Sequence, residues 1–400
     1  MSGGSKLRGN LLIAQAGGPS SVLNATLWGV IEEAKKHSEI EGIIGAIGGA
    51  AGILEENFVN LKTQSKDFYD KLPYTPASVI GTSRRYVSPE NYKKMIEILK
   101  KYNVKYLLFN GGNGSMGTCR EIYQAVDDKE LKVIGIPKTI DNDISETDHC
   151  PGYGSAARYM AVTTAEIGLD IAALPIHICV VEVMGRNAGW IAASTILARK
   201  KPEDAPHLVY VPERPFILEQ FLEDAEELYK QLGGVVVVVS EGITDKKGKP
   251  VVPPLIFPGA KDPFYGDVGV YLARQIWEKL GIKARSEKPG LAARASSILQ
   301  SPIDRQEAIQ VGAAAVKAAV TGKTGYMIGL KRISNNPYKC DTTLIPLDKV
   351  ANIEKKLPQL YINDRGNNIN PNFVEYCKPL VGDLPKYAVL NKLKSFAYKE

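Results

Sequence analysis

The chain has 400 residues, of which 44% are hydrophobic and 24% are charged, and these values indicate a globular protein with one large or two medium domains. The formal net charge of +6 comes from scattered lysines and arginines rather than from basic arms, so we expect anionic ligands but no nucleic acid. No apolar run is long enough to span a membrane, and the five cysteines form no Cys-x-x-Cys pair, so we predict a cytoplasmic protein with no membrane association.

Short apolar runs rich in β-branched residues alternate with longer amphipathic runs along the chain. The predicted strands are 10–16, 43–47, 104–109, 132–136, 176–183, 208–211, 235–240 and 325–330. The predicted helices are 22–37, 91–102, 116–126, 155–169, 188–200, 218–232, 267–280 and 304–321. This alternation is typical of parallel sheets with helices on both faces.

We therefore predict an α/β fold with two doubly wound parallel-sheet lobes and an active site in the cleft between them. The first lobe is assigned to residues 1–152 and the second to residues 153–400, with part of 300–350 returning to the first lobe. The segment after about residue 335 is rich in Pro, Asn and Lys, and we expect it to pack peripherally.

Polar or glycine-rich segments follow five of the predicted strands directly. Ligands bind at the carboxyl ends of strands in parallel sheets, so the first three of these segments should face one crevice, and the last two follow strands of the chain's second half. The five segments are Gly17-Gly18, Gly111 to Ser115, Pro137 to Asp143, Met184-Gly185-Arg186 and Glu241.

The Pro-Lys-Thr-Ile-Asp-Asn-Asp run at 137–143 carries most of the chemistry. Two carboxylates this close repel each other, and a loop keeps them when one takes a proton and the other serves Mg²⁺. Lys138 can neutralise a transferring phosphoryl group, and the glycines at 111–114 let the backbone approach phosphate. Two arginines after Gly81 add candidate phosphate contacts, although a solvated surface pair explains them nearly as well. Phosphoryl transfer needs this combination.

Together with these motifs, a further set of residues makes the chain resemble the phosphofructokinase family over roughly residues 10–330. That set comprises the Thr147 to Ala156 run, Pro212-Glu213, Ser240-Glu241-Gly242 and the spacing of Arg285 and Arg294. The family uses two α/β lobes and Mg²⁺ to phosphorylate the 1-hydroxyl of fructose 6-phosphate. The resemblance implies a first lobe that binds donor and metal and a second that binds the sugar phosphate.

The resemblance also assigns roles to individual positions. It implies catalytic roles, with Asp141 as the base, for Lys138, Thr139, Asp141 and Arg186. It implies donor contacts from Gly17, Arg84, Gly112, Asn113, Gly114 and Ser115, and Mg²⁺ contacts from Asn113 and Asp143. It implies substrate contacts from Thr139, Ile140, Asp141, Met184, Gly185, Arg186, Glu241, Arg285 and Arg294. Arg285 resembles a residue that reaches the 6-phosphate across a subunit interface, which implies a homo-oligomer, either a dimer or a tetramer.

Two positions bear on the phosphoryl donor. Lys138 is typical of family members that use pyrophosphate, and so is the overall appearance of the chain, including Asn113 where an aspartate is usual. Gly114 is typical of members that use ATP, because a carboxylate there would occupy the space of the α-phosphate and repel it. The open position at Gly114 leads us to predict ATP, with pyrophosphate as the alternative donor.

Other functions remain open at this stage. A lipid or NAD kinase also places a Gly-Gly-x-Gly turn at a phosphate, but lacks the Thr139 to Asp143 string. A non-catalytic regulatory subunit is compatible with Asn113 and with Ala292-Ala293 before Arg294, where the sugar-phosphate contacts are thinned. The same chemistry on another acceptor, such as sedoheptulose 7-phosphate or a nucleoside, is a third alternative.

Overall fold

The structure is a computed structural model that describes residues 7–83, 87–126, 130–256 and 264–388. Its strands are β1 Gly9–Gln15, β2 Ile40–Ala46, β3 Phe58–Asn60, β4 Val104–Gly111, β5 Lys132–Pro137, β6 Ile178–Val183, β7 Leu208–Tyr210, β8 Val235–Ser240, β9 Ala284–Glu287, β10 Tyr326–Asn335 and β11 Tyr338–Pro346. Its α-helices are α1 Leu23–Ala34, α2 Gly49–Leu54, α3 Lys66–Lys71, α4 Pro89–Lys101, α5 Asn113–Ala125, α6 Tyr153–Ala173, α7 Trp190–Ser194, α8 Leu218–Leu232, α9 Val268–Leu280, α10 Leu291–Ala295, α11 Pro302–Val320 and α12 Asn372–Val381.

The first sheet has the strand order β11-β10-β5-β4-β1-β2-β3. Its central pairings are parallel, and the outer pairs β2–β3 and β10–β11 are antiparallel. The interior strands are continuous apolar runs, as in Leu11–Ala14 of β1, because helices cover both faces of the sheet. The carboxyl ends of β1, β4 and β5 therefore lie side by side at one edge.

Helices α1 and α11 pack closely on one face of this sheet. A Cβ atom on Gly29 would collide with the carbonyl oxygen of Ile309, and one on Gly312 would collide with that of Thr26. Both approaches are far inside van der Waals contact, so only glycine permits this packing at either position.

The second sheet is parallel throughout and has the strand order β7-β8-β6-β9. The valines of β8 are buried on both faces, as expected for a parallel sheet covered by helices. The predicted helix 188–200 is shorter than expected, because α7 gives way to a 3₁₀ helix at Thr195–Ala198. The hydroxyls of Ser194 and Thr195 each donate to a backbone carbonyl three residues earlier, which competes with regular α-helical bonding.

The chain returns to the first sheet after α11, since β10 pairs in parallel with β5 through Tyr326 and Met327. The segment that follows supplies core side chains instead of packing peripherally, so the prediction of a peripheral tail is wrong. Phe373 and Cys377 of α12 are fully buried, and the rings of Phe373 and Tyr376 lie 6.3 and 5.3 Å from that of Trp190. Composition misled here because the Pro, Asn and Lys residues of the tail surround a buried helix face.

Within the described residues, no helix is both long and apolar enough to cross a bilayer. All five cysteines lie in the described part of the chain and are free thiols.

We expect Phe373→Ala to lower the free energy of unfolding by about 3–5 kcal/mol, because it leaves a cavity in the core of the second sheet. Urea denaturation followed by circular dichroism measures the effect. The control is Leu360→Ala in the same segment, since Leu360 is 57% exposed and its loss should cost less than ~0.5 kcal/mol. Equal effects of the two substitutions would contradict the assignment of α12 to the core.

Candidate active site

Connections from both sheets meet in one cleft of about 660 Å³. The loops after β1 and β5 form one wall, and the loops after β6 and β8 form the opposite wall. Ten of the residues singled out from the sequence line this cleft: Gly17, Lys138, Thr139, Ile140, Asp141, Asp143, Met184, Arg186, Glu241 and Arg294. Asp141 of the first wall therefore shares the cleft with Arg186 of the second, as the proposed chemistry requires.

Five further predicted site residues do not line this cleft. Gly112, Asn113, Gly114 and Ser115 lie just behind the first wall, at the start of α5. Gly185 supports the second wall, since its N–H donates to Oε1 of Glu241 at 3.4 Å and its carbonyl accepts from Ser240 Oγ at 2.5 Å. The donor contacts expected from the start of α5 therefore stay a prediction.

Arg285 and Arg84 need separate mention. Arg285 lies on the edge strand β9 and borders a separate cavity of about 240 Å³ with Glu166 and Cys179, so a single chain does not bring it to the cleft. Arg84 lies outside the described residues.

Asn142 sets the conformation of the loop that carries the two aspartates. Its φ of 56° lies in the left-handed region, which a short polar side chain tolerates better than most residues. Its side chain is fully buried, with Nδ2 donating to the hydroxyl of Tyr376 at 2.9 Å and Oδ1 accepting from the N–H of Cys150 at 3.0 Å. The sequence alone gave Asn142 no role, because its partner Tyr376 lies 234 residues away.

Asp141 lies in a strongly acidic setting. Burial, the charge of Asp143 and the charge of Glu241 raise its pKa to about 7, against the opposing effect of Lys138 and Arg186. A carboxylate with such a pKa exchanges a proton readily near neutral pH, which suits a general base. Thr139 helps to shape the loop, since its Oγ1 accepts from the N–H of Asp141 at 3.1 Å.

Lys138 links the two loops of the first wall, the loop after β5 and the glycine turn after β1. The residue is only 4% exposed, and its Nζ donates to the carbonyl of Gly18 at 2.7 Å. Gly17 has a φ of +78°, and a Cβ atom there would lie 3.2 Å from this ammonium group. The glycine turn thus brings backbone close to a buried cation, which is a favourable place for an anion.

Asn113 and Asp143 provide the groups predicted to hold Mg²⁺. Asn113 Nδ2 donates to Asp143 Oδ2 at 2.9 Å, so the two side chains are in contact. Asn113 Oδ1 is buried and accepts no hydrogen bond from any described residue. An amide oxygen and a carboxylate are hard oxygen ligands of the kind Mg²⁺ prefers, so the residues present fit the ion.

Glu354 lines the same cleft and was missed by the sequence analysis. It comes from the segment between β11 and α12, where no motif marks it and where lysines and a proline follow it. Asn187 Nδ2 donates to its Oε1 at 2.9 Å. Burial is the main cause of the raised pKa of Asp143, and the charge of Glu354 is the next largest.

A buried polar network supports the loop from behind. His149 contacts Asp148 through Nδ1 and Glu307 through Nε2, both at 2.7 Å. Asp304 accepts from the N–H groups of Gly152 and Ser155 at 2.8 and 2.9 Å, and so caps the start of α6. These contacts hold the Thr147 to Ala156 run in place, which gives that run a structural role beside its resemblance.

A family model described as Phosphofructokinase matches residues 10–319. The chain belongs to the phosphofructokinase family. The predicted family is thereby confirmed.

Three relatives of the chain show what kinds of family member it is similar to. The pyrophosphate–fructose 6-phosphate 1-phosphotransferase of Xanthomonas campestris pv. campestris is 37% identical over 96% of this chain and 97% of its own length. The sulfofructose kinase of Alkalicoccus urumqiensis is 32% identical over 88% of this chain and 92% of its own. The crystal structure of pyrophosphate-dependent phosphofructokinase from Marinobacter aquaeolei has a TM-score of 0.86 at 34% identity, covering 95% of this chain and 94% of that one. The predicted α/β fold with parallel sheets is confirmed by this likeness.

We expect Asp141→Asn to stabilise the metal-free protein above neutral pH. Because the pKa of folded Asp141 is raised above its ordinary value near 3.9, the wild-type protein loses stability as pH rises from about 4 to about 7. The substitution removes this loss, so the variant should be more stable by ~1–3 kcal/mol at pH 8 and nearly unchanged at pH 4. Urea denaturation at both pH values measures the difference. A variant that is less stable at pH 8 would contradict the burial cost and charge repulsion assigned to ionised Asp141.

Proposed function

We propose that the protein is a Mg²⁺-dependent phosphotransferase that moves a phosphoryl group from pyrophosphate to the 1-hydroxyl of fructose 6-phosphate. The observation that carries the proposal is the cleft itself, in which Asp141 faces Arg186, Glu241 and Arg294 beside the buried ammonium of Lys138. Relatives from Xanthomonas campestris and Rhodospirillum rubrum, the latter 34% identical, bear the name pyrophosphate–fructose 6-phosphate 1-phosphotransferase.

The transfer divides between a base and a set of phosphate-stabilising groups. The carboxylate of Asp141 accepts the proton of the sugar hydroxyl while that oxygen forms a bond to the transferred phosphorus. The bond between this phosphorus and the bridging oxygen breaks, and inorganic phosphate leaves. Lys138 and Arg186 balance the negative charge of the group in transfer, because both side chains line the same cleft as Asp141. Bound Mg²⁺, held by Asn113 and Asp143, would supply further charge neutralisation on the phosphate oxygens.

The second wall would bind the sugar phosphate. Met184 and Glu241 offer an apolar contact and a hydroxyl acceptor, and Arg294 offers a guanidinium for the 6-phosphate. Arg285 does not reach the cleft of its own chain, which supports a homo-oligomer in which Arg285 of one copy reaches the sugar phosphate bound to another. A 6-phosphate contact built on so few groups also leaves room for a different anionic group, in keeping with the name of the sulfofructose kinase relative.

The predicted preference for ATP receives no support from the relatives, whose names favour the alternative donor, pyrophosphate. Gly114 shows why that preference followed from one position. A Cβ atom there would meet no atom within 4 Å, so the position is as open as the sequence indicated. An open position permits a longer donor without requiring one, and the donor choice must then depend on other residues.

The donor assignment is tested by steady-state rates with fructose 6-phosphate, Mg²⁺ and either pyrophosphate or ATP. We expect saturable turnover with pyrophosphate and at least ~10³-fold less in Asp141→Asn, which keeps the shape of the side chain and removes the base. Sulfofructose and sedoheptulose 7-phosphate are run as alternative acceptors. Turnover with ATP alone, or turnover independent of Asp141, would contradict the proposal.

We expect Gly114→Asp to leave pyrophosphate turnover within about threefold of the wild type, since the new side chain enters open space at the first turn of α5. A negative charge near a helix N-terminus is also favourable. Any residual ATP turnover should fall, because the carboxylate repels additional phosphate groups. The measurement is kcat/KM for both donors, and a selective loss of pyrophosphate turnover would count against this view of the donor site.

The pH dependence should differ between the two reaction directions. The forward reaction needs ionised Asp141, so its kcat/KM should fall about tenfold per pH unit on the acid side, below the apparent pKa of that carboxyl in the Mg²⁺-bound enzyme. The reverse reaction, from fructose 1,6-bisphosphate and phosphate, needs the protonated carboxyl and should instead fall on the alkaline side. Initial rates across pH 5–9 in both directions measure this, and parallel profiles would refute Asp141 as the shared acid and base.

A further inference from the structure

The segment of residues 352–357, here called the C-terminal strap, runs along the cleft beside both predicted metal-binding residues. The N–H of Asn352 donates to the carbonyl of Asn113 at 3.4 Å, and the N–H of Lys355 donates to the carbonyl of Asp143 at 2.7 Å. Glu354 forms an antiparallel bridge with Ile144. The strap therefore pairs with the backbone of the two loops that would hold Mg²⁺.

The other side of the C-terminal strap is fixed to the second wall of the cleft. Asn187 donates to Glu354, and Lys356 Nζ donates to the carbonyl of Asn187 at 2.5 Å. The half-buried carboxylate of Glu213 accepts from the N–H groups of both Leu357 and Gly189 at 2.9 Å. Glu354 is thus held between the walls by contacts on both sides, so its position is set before any ligand arrives.

The charges around Glu354 leave the acidic groups of the cleft poorly balanced. Lys355 Nζ is directed instead to the carbonyls of Thr147 and Asp148, at 2.9 and 2.8 Å. Lys356 Nζ lies 3.6 Å from Glu354 Oε2, and this lysine side chain is 54% exposed, so water screens the pair. Glu354 and Asp143 line the same cleft on paired stretches of backbone, and a divalent cation between them would balance the charge of both carboxylates.

We propose that Glu354 is the second carboxylate of the Mg²⁺ site, acting with Asp143 directly or through a bound water. Mg²⁺ in phosphoryl-transfer sites is typically held by one or two carboxylates together with the phosphates of the substrate. Asn113 is neutral, and Asp141 is reserved for the proton, so Asp143 alone would leave the ion with a single protein charge. Glu354 supplies the missing one. This inference rests on the function proposed above.

The test measures Mn²⁺ binding to the whole protein by electron paramagnetic resonance. Methylenediphosphonate, a pyrophosphate analogue that is not cleaved, is present throughout. We expect Glu354→Gln to weaken Mn²⁺ binding at least tenfold. The amide oxygen of glutamine still accepts from Asn187, so the substitution removes charge and little else. The matched control is Glu375→Gln, an exposed carboxylate on α12 in the same C-terminal region, which should bind Mn²⁺ as the wild type does.

Activity gives a second readout. The Mg²⁺ concentration for half-maximal rate should rise at least tenfold in Glu354→Gln, and kcat should recover at saturating Mg²⁺. Unchanged Mn²⁺ affinity in this variant, with an unchanged melting temperature, would overturn the proposal. The absence of pyrophosphate turnover in the wild type would refute the proposed function, while the Mn²⁺ titration would still report on Glu354.

Discussion

The left-handed backbone of Asn142 is the constraint on which the candidate site depends. It turns the chain sharply between Asp141 and Asp143, so that both carboxylates enter the cleft from one short loop. The strain is offset by the buried amide, which bonds to Cys150 on one side and to Tyr376 on the other. Since Tyr376 belongs to α12, the loop that carries the candidate base is shaped by the last helix of the described chain.

Charge is the second condition that the site must satisfy. Asp141, Asp143 and Glu241 line the same cleft, and burial together with the charges of Asp143 and Glu241 raises the pKa of Asp141, while Lys138 and Arg186 oppose this effect. Acidic side chains outweigh basic ones in the cleft, and this excess has two consequences. It brings the pKa of Asp141 close to 7, and it prepares the cleft for a divalent cation.

Much of the first wall could be predicted from sequence, because its parts are local. Glycine turns and carboxylates that directly follow an apolar strand can be placed at the carboxyl end of that strand from the sequence alone. The residues from Lys138 to Asp143 do lie in the cleft or against it. The short edge strands β3 and β9 escaped prediction because three or four residues give too little periodicity to recognise.

Contacts between distant parts of the chain could not be predicted in this way. Glu354 and Tyr376 act on the loop at 141–143 from more than 200 residues away, and neither lies in a recognisable motif. The preference for ATP followed from Gly114 alone, and a single open position carries less information than the whole chain. Composition also gave no sign that α12 forms part of the core, because its buried face is only a few residues wide.

The return of the chain to earlier parts of the structure has a consequence for synthesis. Strands β10 and β11 complete the first sheet, and α12 fills the core against Trp190. A ribosome makes these segments after the strands and side chains on which they pack, so neither sheet can reach its final packing until residues 326–381 have been synthesised. Chains that stop before α12 would leave the apolar surface around Trp190 uncovered.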